Sequence, residues 1–514
     1  LKIIIGNIHA ELRDATKEQI SRLRSVMSYE HPEKERVRDY RLSEITHKMS
    51  RAKTRKEELD LLDKKREWLD WDGRIHLLDK WRLTFPAGLW YLVLGLYPDS
   101  EVEGNFITPI EYEEIETYND INLFDFQDAV VDEIIEYDGR CIVDVGTGGG
   151  KTELAMFLIN LFKTKTLIVV PNATLEKQWV ARMKNHFDMQ ETDMPRVYQI
   201  KNKAVFMVAT RSYTHNIYYK TNSKKQEEYE LCRLFLRDVG TVIYDECHHA
   251  STKQSREILD AVNAYYRIGL SGTVNMRSDN TDIIYLGYLG PVVGKITQKD
   301  LVEMGRATEA TVIFRPVGQR SYPRNKKYNE IVEDYIVYND HRNSLIVTEA
   351  AKWMLKGKKV LVLTDRVKHI KMLEAMMSLD EETMGRAVGV DANHPDREEM
   401  FDKWMNTDEI DIMICTVQLV GEGFDFPNLG AMVLAGTWKS KTRSIQTLGR
   451  LIRTSADKNN AIFIDYANNC EYLWEHSVER VKAWRAEGFD VILDGTFLER
   501  IPELEIIEEV NFNE

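Results

Sequence analysis

The sequence predicts an α/β protein, with two tandem parallel-sheet domains behind a small α+β N-terminal domain. Three observations predict it. Short β-branched runs alternate with amphipathic helical stretches from about Ile121 to Ile296, the pattern of a doubly wound sheet. A second series with the same alternation runs from about Thr311 to Tyr466, and no sequence repeat links the two. The residues ahead of Ile121 follow neither rhythm. The expected boundaries are 1–117 for the N-terminal domain, 118–300 and 301–470 for the two sheet domains, and 471–514 for a C-terminal helix and acidic tail.

In the N-terminal part, residues 1–5 read as a strand and 15–27 as a helix. Residues 44–69 read as one long charged helix, with Ile45, Met49, Ala52, Leu59, Leu62 and Leu69 near a helical period. Arg51, Lys53, Arg55 and Lys56, then Lys64, Lys65 and Arg66, are bunched along it. Two readings stay open there: a solvated face among interleaved acids, or an arm that contacts phosphates. Turn chemistry at 71–74 and 82–88 brackets a short strand at 74–79. Trp68, Trp71, Trp81, Phe85 and Trp90 are expected to build a small core, with base stacking as the alternative role. The first series places strands at 141–145, 166–170, 204–209, 242–244 and 267–270. The second places them at 360–363, 387–390, 410–415, 431–434 and 461–464. A helix is expected at 472–487, and 499–514 is either an edge strand with a tail or a flexible acidic end.

Composition narrows the function classes. The net charge of −14 over 514 residues argues against a uniformly basic coat for nucleic acid, while leaving room for a local basic groove. The five cysteines (Cys141, Cys232, Cys247, Cys415 and Cys470) lack C-x-x-C spacing, so buried free thiols in a reducing compartment are expected. No run approaches the roughly 18 apolar residues of a membrane span, and no signal-peptide pattern opens the sequence. The expectation is a cytoplasmic protein without a membrane partner.

Residues 141–152, CIVDVGTGGGKT, carry the clearest chemistry. A buried strand stops at Gly146, and a glycine-rich turn leads into a helix. Gly146, Thr147, Gly148, Gly149 and Gly150 form a turn whose backbone N–H groups can close around phosphate oxygens. Lys151 is placed for the β- and γ-phosphates and Thr152 for Mg²⁺. The strict phosphate-loop pattern opens with glycine where this chain has Val145, so a glycine-rich turn with a chance Lys-Thr is the alternative. A second strand, 242–244, delivers Asp245 and Glu246 to its carboxyl end, where open α/β sheets bind ligands. Asp245 fits as a magnesium carboxylate, and Glu246 as the base that orients an attacking water. His248 and His249 are adjacent and point apart, which argues against a metal pair. In the second series Arg450 and Arg453 share one helix face. They are either an ordinary surface pair or, facing a nucleotide, arginine fingers worth roughly 10³–10⁵ in rate.

In order and spacing, this set resembles superfamily 2 DExH-box helicases over about 121–465. The resemblance implies two RecA-like domains, ATP and Mg²⁺ as cofactors, and a role for each matching segment. Residues 123–127 are similar to the adenine-reading segment, with Phe124 and Gln127 at the nucleotide. The loop at 145–152 is similar to VPTGSGKT, with Gly146 where proline is commoner, and the family often lacks the first glycine. Residues 169–173 and 208–212 resemble segments that touch the nucleic-acid backbone, which assigns Pro171, Asn172, Thr210 and Arg211. Residues 245–248 read DECH, and 270–273 resemble the Ser-x-Thr coupling segment, so His248, Ser271 and Thr273 would couple hydrolysis to movement. The fourth motif, 363–366, contributes Thr364 and Arg366 to nucleic acid. The fifth contributes Thr416 to nucleic acid and Gly423 and Asp425 to nucleotide, and the sixth contributes Gln446, Arg450 and Arg453 to catalysis.

Residues 72–79, followed by 86–89, look like the leading domain of phage UvsW-type helicases, where W-D-G-R-I-x-L-L precedes P-x-G-L. That resemblance implies a monomer acting on forked, branched and junction DNA, and on RNA–DNA hybrids in R-loops, during recombination, replication and repair. Rival readings are a double-stranded DNA translocase, an ATP-gated nucleic-acid clamp or sensor, and a metabolic P-loop enzyme indifferent to nucleic acid. Tyr218, Tyr219, Lys220, Lys224 and Lys225 mark either a basic loop at the nucleic acid or a solvated insertion.

Overall fold

The computed structural model describes every residue except 32, 53, 113–120, 201–202, 222–223, 273, 275–280, 319–325, 421–427, 441–443, 446, 448, 450–459, 469 and 494–514. The chain divides into two compact units, Leu1–Asp144 with Thr152–Lys295, and Val145–Lys151 with Ile296–Glu514.

The first unit opens with a four-stranded sheet in the order Thr84–Pro86, His9–Arg13, Lys2–Ile5, Glu101–Gly104. Ile3, Ile5, Ala10 and Leu12 alternate inward and meet Leu23, Met27, Phe85, Leu89 and Val93 in one core. The helix Lys17–Val26 starts at Thr16, whose hydroxyl accepts from the Gln19 N–H while the Gln19 amide oxygen accepts from the Thr16 N–H. This small sheet is fused to the rest of its unit. Asn7 Nδ2 donates to Asn263 O at 3.2 Å, and Arg140 donates to Asn7 O at 2.8 Å. A Cβ on Gly88 would lie 2.3 Å from Leu286 O, so only glycine lets the two backbones touch there.

Two expectations for this region need correction. The long helix is two, Lys34–Met49 and Arg55–Leu69, because Thr54 restarts the chain. Its hydroxyl accepts from the Glu57 N–H and the Glu57 carboxylate accepts from the Thr54 N–H, a second capping box that apolar periodicity does not register. Of the five aromatics, only Phe85 and Trp90 join the core. Trp68 and Trp71 meet edge-on at 5.1 Å beside the helical pair, and Trp81 is 82% exposed.

The main sheet of the first unit has eight strands. Arg140–Val145, Tyr266–Ser271, Thr241–Asp245, Thr166–Val170 and Lys203–Thr210 are successive parallel neighbours. Val292–Ile296 flanks the first of them, and Val197–Ile200 and Met189–Glu191 add an antiparallel edge. Sequence pattern located the five central strands, which are buried on both faces and read as continuous apolar runs. It missed Val292–Ile296, interrupted by Gly294 at φ +57°, and the two antiparallel strands, Val197–Ile200 being only four residues long and Met189–Glu191 only three, with Gln190 and Glu191 exposed.

The second unit holds a seven-stranded sheet in the order Ala387–Val390, Ile412–Thr416, Lys359–Thr364, Leu429–Leu434, Ala461–Asn468, Ala310–Val317, Asp490–Leu493, parallel throughout. Ala310–Val317 and Asp490–Leu493 were missed: Pro316 argues against a strand, and the other is a four-residue edge. The helix Glu471–Ala486 is fastened to the sheet by a fully buried pair, Arg480 Nε to Asp465 Oδ2 at 2.8 Å and Arg480 to Asp465 Oδ1 at 3.1 Å. All five cysteines are buried free thiols, as composition led us to expect.

His369 lies in the core of this unit, with Nδ1 2.9 Å from the Thr364 hydroxyl and Nε2 2.9 Å from Asn343 Oδ1. Burial, with Arg342 nearby, pushes its pKa from 6.5 down to about 3. The unfolded chain then binds a proton that the folded chain refuses, so stability present above pH 6.5 is lost as pH falls toward 3. Melting followed from pH 7 to pH 4 is expected to show a falling midpoint for the native chain and a shallower fall for His369→Gln.

Candidate active site

Parallel pairing sends the loop after every strand to one edge of the sheet. The register is Ser271 opposite Asp144, Asp245 opposite Leu270, Tyr244 opposite Val169, and Val170 opposite Thr210. The strand that feeds the glycine-rich loop, Ser271, Asp245, Pro171 and Thr210 therefore leave one carboxyl edge. At about 4.8 Å per strand, they fall within roughly 20 Å.

The glycine-rich loop ends where the helix Lys151–Phe162 begins. Gly148 and Gly150 hold φ of +89° and +74°, the left-handed region that favours glycine. A Cβ on Gly149 would lie 2.3 Å from Val145 Cγ1, so the valine that replaces the first pattern glycine packs directly under the loop. A Cβ on Gly148 would meet nothing within 4 Å, which marks the open side of the cradle. The Lys151 ammonium donates to Val145 O at 2.7 Å and to Gly146 O at 3.3 Å, which holds it against the loop.

At the end of the Thr241–Asp245 strand, Asp245 is 9% exposed. Its Oδ2 accepts from Trp179 Nε1 at 2.8 Å and its Oδ1 from the Glu246 N–H at 3.0 Å. Trp179 comes from the helix Ala173–His186, which Asn172 caps by accepting from the Leu175 N–H at 3.0 Å. Sequence reading missed Trp179, which lies on a helix outside every motif and is brought to Asp245 only by packing. Glu246 is left-handed at φ +50° and ψ +53°, a conformation that costs a non-glycine residue roughly 1–2 kcal/mol. The turn sets its carboxylate 3.3 Å from His248 Nδ1, which is itself 3.2 Å from Ser271 Oγ. Glu246, His248 and Ser271 thus form a continuous polar path between two neighbouring strands.

The other expected site residues have definite local partners. Gln127, 1% exposed, accepts from the Phe124 N–H at 2.9 Å, which closes the start of the helix Asp125–Glu136. Thr210 caps the helix Arg211–Tyr219, of which Arg211 is the first residue. On the second sheet Thr364 is opposite Thr416, so the fourth and fifth segments leave one carboxyl edge together. The Thr364 side chain is 1% exposed and committed to His369, whereas Arg366 reaches Asn329 at 2.8 Å from an exposed position. Within the second unit, a Cβ on Gly449 would lie 2.8 Å from Thr147 Cβ, which sets Gly449 itself against the glycine-rich loop. Thr273, Gly423, Asp425, Gln446, Arg450 and Arg453 lie outside the described residues.

The donor set fits a magnesium nucleotide on the structure's own terms. Within the second unit a glycine cradle with one open side and a lysine at its base suits phosphate, and within the first a threonine in the opening helical turn and a carboxylate held by two N–H donors are oxygen donors of the kind magnesium takes.

Comparison with known proteins gives concordant matches. Residues 120–276 match the family described as type III restriction enzyme, res subunit, and residues 342–455 match the helicase conserved C-terminal domain. The ATP-dependent DNA helicase uvsW of Enterobacteria phage T4 is 24% identical over 474 residues, covering 82% of this chain and 90% of that protein. The 161L protein of Invertebrate iridescent virus 6, named as a helicase, is 26% identical over 370 residues, covering 69% of this chain and 78% of its own. Among solved structures, the DNA-bound type ISP restriction-modification enzyme LlaBIII superposes at a TM-score of 0.51 with 14% identity. That match covers 71% of this chain and 30% of that one, and is a likeness of fold.

Two outcomes are expected at the acidic edge. Trp179→Phe, which removes one hydrogen bond to a carboxylate, is expected to slow nucleoside-triphosphate hydrolysis about tenfold. Steady-state hydrolysis across a magnesium titration measures this. Glu246→Gly is expected to be about 1 kcal/mol more stable in urea unfolding than Glu246→Ala, since both remove the carboxylate and only glycine relieves the left-handed backbone.

Proposed function

We propose, from the premise that this chain is a superfamily 2 nucleic-acid helicase, that it uses ATP to separate or branch-migrate the strands of forked and junction DNA. One observation carries this reading furthest. The alignment with the phage T4 DNA helicase spans 474 residues, longer than the 120–455 stretch that contains both family matches. The likeness therefore extends beyond the two motor segments. The W-D-G-R-I-x-L-L and P-x-G-L segments of the N-terminal part support the same substrate class.

The backbone N–H groups of the glycine-rich loop and Lys151 bind the phosphates, and Phe124 and Gln127 read the base. Thr152 and Asp245 are the residues that would hold Mg²⁺, which neutralises phosphate charge when bound. Trp179 and the Glu246 N–H fix the Asp245 carboxylate, while Glu246 orients the attacking water and takes its proton. Gln446, Arg450 and Arg453 stabilise charge that develops on the γ-phosphate, and Gly423 and Asp425 contact the nucleotide. His248, Ser271 and Thr273 relay the hydrolytic state to the nucleic-acid side. Pro171, Asn172, Thr210, Arg211, Arg366 and Thr416 contact the strand backbone, with residue 364 contributing through its main chain because its hydroxyl is buried. Such contacts position a strand without reading its sequence. The protein acts as a monomer, and RNA–DNA hybrids are a second substrate.

The alternative reading is movement along duplex DNA without strand separation. ATP-dependent displacement on a DNA fork, a Holliday junction and an R-loop separates the readings, with Lys151→Ala as the inactive control. Hydrolysis stimulated by DNA without displacement or branch migration on any substrate would overturn the helicase mechanism. Fork affinity is expected to fall more than about tenfold between 50 and 200 mM salt, and a flat response would count against phosphate tracking.

A further inference from the structure

The glycine-rich loop rests on a short segment outside every recognised motif. The Gly146 N–H donates to Ile296 O at 2.9 Å, which carries the pairing of strand Val292–Ile296 one residue into the loop. The helix Gln298–Glu303 comes immediately after that strand. The Thr297 hydroxyl accepts from the Asp300 N–H at 3.2 Å, and the Asp300 carboxylate accepts from the Thr297 N–H at 2.8 Å. That capping box fixes the first helical residue, Gln298, against the loop. Gln298 is 1% exposed, and its Nε2 donates to Thr147 O at 3.3 Å. A Cβ on Gly146 would lie 2.7 Å from Gln298 Nε2, and one on Gly149 would lie 3.3 Å from Leu301 Cδ2. On its other side the segment is wedged by Lys299, whose Cβ lies 2.7 Å from where Gly488 would carry one.

We propose that Gln298 is a positioning residue for nucleotide binding, orienting the Thr147–Gly148 peptide so that its N–H faces the phosphates. In a planar trans peptide the C=O and the next N–H point in opposite directions. Holding Thr147 O toward Gln298 turns the Gly148 N–H away from it, and Gly148 is the residue whose Cβ direction is open. Without that hold, the same peptide can rotate its carbonyl toward the anion, where it repels phosphate. The chemistry of the side chain agrees with this role. Among the described residues Gln298 Oε1 is buried with no hydrogen-bond partner, a costly state that an apolar side chain of similar size would avoid. The amide is retained for its donor. Gly146 is explained by the same contact: proline there would lose the N–H that bonds Ile296 O and would press its Cβ into the Gln298 amide.

This rests on ATP binding at the loop, so the native chain is measured first with a fluorescent ADP analogue and by DNA-stimulated ATP hydrolysis. Failure of the native chain to bind would overturn the nucleotide reading itself. Given native binding, Gln298→Leu is expected to raise the KM for ATP about three- to tenfold, the scale of one hydrogen bond, with kcat within about twofold. Gln298→Glu, isosteric but without the donor, is expected to be at least as impaired. Gly146→Ala should lose affinity because its methyl meets Gln298, and Gln298→Ala added to it should restore binding to the level of Gln298→Ala alone. Gly149→Ala, which meets Val145, should not be restored. Melting midpoints within a few degrees of native establish that each variant is folded, and Gln298→Met replaces any that is not. A native KM in Gln298→Leu or Gln298→Met, or simple multiplication of the two defects in the double variant, would overturn the proposal.

Discussion

Parallel strand pairing is the constraint on which the rest of this structure depends. It requires a crossover after each strand, buries both faces of the sheet and delivers every turn of functional weight to one edge. In the first unit Ser271, Asp245, Pro171 and Thr210 are separated by up to about 100 residues of sequence but by roughly 5 Å steps across the sheet. The second unit repeats the device with Thr364 and Thr416. Shifting one strand by a residue would turn its apolar face outward and move its loop off the edge, so core packing and site geometry are enforced together.

The site itself departs from the comfortable rules of its scaffold. Glu246 is held left-handed, Asp245 is almost fully buried yet given two N–H donors, and Gln298 carries an amide oxygen with no hydrogen-bond partner among the described residues. Rigid surroundings sustain such features. Arg267, fully buried, donates to the carbonyls of Leu259, Val262 and Tyr288 and locks the strand beside Asp245, while burial lowers its pKa to about 9 and leaves it charged near neutrality. Arg342 and Arg480 do the same work in the second unit through the carbonyls of Leu434, Ala435, Gly436 and Trp438. Guanidinium groups suit this role because five fixed donors can satisfy several carbonyls at once.

Legibility in the sequence followed burial and locality. Central strands such as Thr166–Val170 read as uninterrupted apolar runs, and the glycine-rich loop and DECH segment are contiguous, so both were found directly. Thr54 shows the limit of periodicity, since a capping box can divide a helix without disturbing its apolar spacing. Trp81 shows another limit, because an indole in sequence looks alike whether it is buried or, as here, 82% exposed.

By itself, the sequence determined the two α/β series, the glycine-rich turn after a buried strand and the paired carboxylates Asp245 and Glu246, because each is encoded in neighbouring residues whose pattern is local. Tertiary structure alone decided that Trp179 holds Asp245, that His248 joins Glu246 to Ser271, and that Gln298 supports Thr147. Those partners are 66, 2, 23 and 151 residues apart, respectively for Trp179–Asp245, Glu246–His248, His248–Ser271 and Thr147–Gln298. Most meet only because strand order and crossover packing bring distant segments together, which no local pattern of side chains records.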